Sequence, residues 1–99
     1  IRNGLPPIHP GEYLAEMFAG LGLAATTFAE SIHIPRARMM QVLDGQSAID
    51  AELALLFSRA FDQTPQYWLN LQMEYDLKHA EAGMESRLRS ITPIVYEPA

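Results

Sequence analysis

At 99 residues, with 48 % of them hydrophobic and a net charge of −5, the chain has the size of one domain and enough apolar material for one compact core. It carries no cysteine, which excludes disulfides and thiolate zinc sites, and it lacks the run of about 18 apolar residues that a transmembrane helix needs. An acidic balance also counts against a generic nucleic-acid binder, whose surface is usually rich in Lys and Arg, so the charge has to be localised before it is used.

Residues 1–9 read as an N-terminal arm. Pro6 and Pro7 bias it away from helix, and it has no apolar run of the kind a signal peptide carries. Pro10 suits the first turn of a helix. From Gly11 onward Tyr13, Leu14, Met17, Phe18 and Leu21 recur at spacings of three and four, and Gly20 and Gly22 end this first helix. A second, short helix is expected from about Ala25 to Ile32, with Phe28, Ala29 and Ile32 on its apolar side and no capping side chain at Ala24.

His33-Ile34-Pro35 is a tight break, after which Pro35 opens a third helix over Arg36 to Leu43 that buries Met39, Val42 and Leu43. Asp44-Gly45 stops it. Asp50 is a good N-cap for a fourth helix, about Ala51 to Phe61, with Leu53, Leu56, Phe57 and Ala60 inward and Glu52 near its positive end. Asp62 to Thr64 makes a turn with a cap at Thr64. A fifth helix then runs from Pro65 to about Ala82, with Tyr67, Trp68, Leu71, Tyr75 and Leu77 giving a wide apolar surface. Gly83 is expected to end it. The expected organisation is therefore an all-α, five-helix domain over residues 10–83 and a tail over 84–99. In that tail Ile94-Val95-Tyr96 is β-prone; a strand paired across a dimer and a loose tail both fit.

The segment most informative about function is Phe28 to Leu43. Two short helices meet at a tight turn, with Ala29 small where they would cross, which is the sequence logic of a helix-turn-helix. His33 stands where glycine is usual in such a turn, and His tolerates positive φ better than most residues. Opposite the buried side, the third helix presents Ala37 and Gln41 flanked by Arg38 and Met40, with Arg36 at its N-terminal end. Arg pairs with guanine and Gln with adenine through two hydrogen bonds each, and Ala37 or Met40 suits a thymine methyl group. Thr26 and Thr27 open the second helix, where phosphate contacts are common. Ser31 to Leu43 holds two arginines and none of the chain's 12 acidic residues, so the charge pattern is a small cationic tip on an acidic body. Pairs of short helices also occur in domains that never meet DNA, so this pattern alone leaves both readings open.

Three stretches add a resemblance. Pro7-Ile8-His9-Pro10-Gly11-Glu12-Tyr13-Leu14 with Leu21-Gly22-Leu23 looks like the opening of HigA/VapI-type antitoxins of the Xre helix-turn-helix family. Pro35 to Gly45 resembles the family's recognition-helix region. Thr64-Pro65-Gln66-Tyr67-Trp68-Leu69-Asn70-Leu71-Gln72 with Tyr75-Asp76-Leu77 is similar to its fifth helix. The resemblance covers roughly residues 7 to 80. It implies a lambda-repressor-like fold, a homodimer on double-stranded operator DNA, repression of its own promoter, and a small basic HigB/RelE-like ribonuclease toxin as partner. A stand-alone regulator of the same fold, without a toxin, is the other reading.

His9, His33 and His79 have no metal-ligand spacing, and neither a nucleophile with a paired base nor a phosphate loop is evident. No metal, no cofactor and no enzymatic activity are expected, and a cytoplasmic location fits.

Overall fold

The computed structural model describes residues 8–95. Residues 1–7 of the expected arm, and Tyr96 of the β-prone run, lie outside the described residues. Among the described residues five helices follow in order: α1 (Pro10–Leu21), α2 (Ala25–Ser31), α3 (Arg36–Leu43), α4 (Ala51–Phe61) and α5 (Pro65–Arg89). No strand forms among the described residues, and Ile94 and Val95 lie exposed. Among the described residues no helix is long and apolar enough to cross a membrane.

The helix ends follow from local chemistry. Gly22 takes a left-handed φ of 64° after α1, its N–H reaching the Ala19 carbonyl and that of Leu23 the Phe18 carbonyl. This is the geometry in which glycine avoids a Cβ penalty. Asp50 caps α4 by accepting the Leu53 N–H at 2.9 Å. Thr64 occupies the N-cap of α5 but makes no side-chain capping bond, so Pro65 at the first position carries that start alone. His33 sits at φ 62°, the left-handed conformation the turn between α2 and α3 demands.

The expected end of α5 at Gly83 is corrected: the helix continues to Arg89. A mid-helix glycine costs only about 1 kcal/mol, and Ala82, Met84, Glu85, Arg87 and Leu88 around it are all good helix formers. A contact between Arg89 and Glu85, one turn apart at 3.5 Å, lies in the added turns.

The core draws on all five helices. Leu14, Met39, Val42, Leu53, Ala54, Phe57 and Trp68 are fully buried. Phe28 links the halves, its ring 5.1 Å from Phe18, 5.1 Å from Phe61 and 6.0 Å from Phe57. Ala29, also fully buried, lets α2 and α3 approach. Tyr13, Leu21, Ala60, Tyr67 and Leu77 point outward instead, and Leu43 is only half-buried.

Two buried polar side chains tie neighbouring segments together. Gln72, buried on α5, accepts the Ile49 N–H at 2.8 Å and donates to Asp76 at 2.9 Å, which holds the loop between α3 and α4. His9, also buried, caps α1 by accepting the Gly11 N–H on Nδ1 at 2.9 Å, with its ring centre 4.9 Å from that of Tyr75 in an edge-to-face arrangement.

Burial holds the His9 ring below its usual pKa, against the opposing pull of Asp76, the Ser47 backbone and Glu12. The folded state therefore prefers the neutral ring, since a protonated Nδ1 could no longer accept the Gly11 N–H. Stability from this group is complete above the unfolded value of about 6.5 and is lost as pH falls from there toward the lowered folded value. Thermal melts between pH 7.5 and 5 should show a drop that His9→Asn, which keeps an acceptor but does not titrate, removes; equal slopes in both proteins would refute this role.

Candidate nucleic-acid interface

The α2–turn–α3 unit has the helix-turn-helix form the sequence suggests. At about 100° per residue, Met39 and Val42 fall on one side of α3, and both are fully buried. Arg36, Met40, Ala37 and Gln41 occupy the opposite side as one continuous exposed arc. Pro35 brings no capping side chain to α3, and the first-turn amides have no carbonyl partner within the helix, so this end offers N–H groups and partial positive charge to an anion. Thr26 and Thr27 are exposed in the first turn of α2, which also lacks a capping side chain.

Arg38 lies apart from the arc. It sits on the flank of α3, half-buried, and both ends of its guanidinium are engaged: Nη1 donates to Glu52 at 2.7 Å and Nη2 to Asp50 at 3.0 Å. The hydrogen bond it donates to Glu52 is the main reason its pKa rises, with burial opposing and the charge of Asp50 adding to the rise. Arg36 also has an acidic neighbour, Glu30 at 3.5 Å, but both side chains are about two-thirds exposed. An exposed pair of this kind is worth at most about 1 kcal/mol, so Arg36 exchanges partners readily. Gln41 receives a long contact of 3.4 Å from the Ser47 hydroxyl on its amide oxygen, which leaves its amide nitrogen available.

The expected cationic tip is thus largely neutralised. Its two arginines face three carboxylates that come from neighbouring elements: Glu30 from α2, and Asp50 and Glu52 from the start of α4. Asp50 and Glu52 lie outside any sequence window around α3, and Glu30 belongs to the preceding helix. The fold brings Arg36, Ala37, Met40 and Gln41 together on one surface and places Arg38 beside it.

Searched against models of protein families, the chain matches none. Individual relatives are clear. Virulence-associated protein I of Dichelobacter nodosus is 40 % identical over 86 residues, spanning 86 % of this chain and 80 % of that protein. An addiction module antidote protein of the HigA family from Coxiella burnetii superposes with a TM-score of 0.87 at 38 % identity, over 91 % of this chain and all of that one. The antitoxin HigA of Pseudomonas aeruginosa, solved with the higBA promoter, superposes with a TM-score of 0.84 at 31 % identity, over 90 % of this chain and 99 % of that one.

Proposed function

Because this chain belongs to the HigA/VapI group of Xre-type helix-turn-helix proteins, we propose that it is a DNA-binding antitoxin that occupies the operator of its own operon as a homodimer and neutralises a small basic ribonuclease toxin of the HigB/RelE type. The observation that carries this reading is the exposed arc of α3, which no core contact requires, in a fold whose Pseudomonas relative was solved on promoter DNA. Arg36 and Gln41 would read base edges, Ala37 and Met40 would meet thymine methyl groups, and Thr26 and Thr27 would hold the phosphates beside them. The net charge of −5 suits a basic partner protein. The activity is binding, exerted in the cytoplasm, and needs neither metal nor cofactor.

Support for the dimer comes from α5. Met73, Leu77, Ala80, Met84 and Leu88 along it, and Ile91 just past its end, recur at spacings of three or four, and Met73, Leu77, Leu88 and Ile91 are about half exposed or more. A seam of this spacing is buried best by a second copy of the same helix. Such a dimer would present two α3 helices to successive major grooves about 34 Å apart.

The test is a gel shift on the DNA upstream of the gene. Arg36→Ala and Gln41→Ala should each weaken binding by about 1–3 kcal/mol; full affinity in the paired variant would show that α3 does not read the operator. A basic ribonuclease co-purifying from the native host supports the antitoxin reading, whereas operator binding by a chain that captures none favours the stand-alone regulator.

A further inference from the structure

We infer that Arg38 is a positioning residue of the operator-reading unit, one that stays on Asp50 and Glu52 instead of reading a base. The inference rests on the operator-binding reading and assigns a role within that site. Three observations carry it. Arg38 projects from the flank of α3, between the exposed arc and buried Val42, with its side chain one-third exposed against two-thirds for Arg36. Its planar fork is satisfied at both ends by separate carboxylates, at 2.7 and 3.0 Å. One of those carboxylates has a second duty: Asp50 caps α4 through its other oxygen, bonded to the Leu53 N–H at 2.9 Å. The guanidinium therefore ties the recognition helix to the capped end of α4 across the intervening loop.

Charge gives this tie its consequence for DNA. Asp50 and Glu52 stand at the N-cap and in the first turn of α4, the positive end of that helix. Through Arg38 they also stand beside the arc of α3 proposed to meet the duplex. With Arg38 in place, one of their two charges is cancelled and their oxygens are turned onto the guanidinium. Without it, two bare carboxylates face the duplex, and like charges set against each other suppress association. Arg38 therefore acts on the operator through the acids it covers.

The two roles separate in a cycle of variants. Arg38→Met keeps the aliphatic stem packed, and Asp50→Asn with Glu52→Gln removes both charges while Asn preserves the cap. Fluorescence anisotropy on a labelled duplex from the upstream region, at one salt concentration, measures affinity for the wild type, Arg38→Met, the double acid variant and the triple variant. Arg38→Met is expected to weaken binding about tenfold in the native background and less than about twofold once the acids are neutral, with the native-background loss equal on every single-base variant of the operator. An undiminished loss in the acid-neutral background, or a loss confined to one base pair, makes Arg38 a base reader and overturns the inference. Absence of wild-type binding overturns the operator reading itself, and this inference with it.

Discussion

Gly11→Ala should unfold or badly distort the domain although it adds a single methyl group. A Cβ at Gly11 would sit 2.1 Å from the Val42 carbonyl oxygen, 3.0 Å from its carbon and 3.1 Å from His9 Nδ1. The first two are backbone atoms of α3, which have no rotamer to escape into, and Val42 is itself fully buried. Relief requires α3 to move off α1, or the His9 cap to open. Overpacking of this kind costs about 3 kcal/mol at the upper end, a large share of the roughly 5–15 kcal/mol that holds a domain together. For a domain of this size that is a fall in melting temperature of about 15 °C. Differential scanning calorimetry checks it, and an unchanged melting temperature would mean that the contact between the two backbones is looser than the structure has it. Operator affinity of the variant, measured well below its melting point, should also fall, because the helix that must shift is α3.

Trp68→Ala is the second large effect, and it acts on the packing of α5. Trp68 and Gln72 are the only buried side chains of α5. The indole is fully buried, lies edge-on to Phe57 at 5.4 Å, approaches Phe61 at 5.9 Å, and donates its N–H to Gln63 at 2.9 Å. Truncation removes the anchor that fixes α5 to α4 and should cost about 3–5 kcal/mol. Urea unfolding followed by far-ultraviolet dichroism should show the midpoint falling accordingly, with Trp68→Phe, which keeps a ring against Phe57, losing much less. A cost for the alanine variant equal to that of the phenylalanine variant would mean that ring packing is not what holds α5 in place.

The fold was largely legible in the sequence, because its helix boundaries are written in local chemistry. Pro10 and Gly22 bracket α1, Pro35 and Asp44-Gly45 bracket α3, and Asp50 opens α4; each acts within a residue or two of the boundary it makes. The same locality explains the miss at Gly83. A single glycine weakens a helix without stopping it when both flanks are helix formers and no left-handed turn is required. The exposed arc of α3 was legible too, since helical period alone separates Arg36, Ala37, Met40 and Gln41 from Met39 and Val42. What could not be read was long-range. Asp50 and Glu52 lie twelve and fourteen residues from Arg38, and only the folded loop brings them onto it. The closeness of Gly11 to Val42 has no sequence signal beyond the glycine itself, which looks the same as any helix-start glycine until the neighbouring backbone is placed.

The outer turns of α5 bear on how such a chain would respond to its own abundance. Beyond Gln72 no residue of the helix is buried within this chain, so its last turns stand on intrinsic propensity, and isolated helices shorter than about 12–15 residues are marginal in water. In the proposed dimer, joining two subunits and winding those turns become one event, so the ordering cost is charged to association. The dimer would then part at a higher cellular copy number than one whose contact surface is rigid beforehand, and transcription of the operon would resume after less dilution.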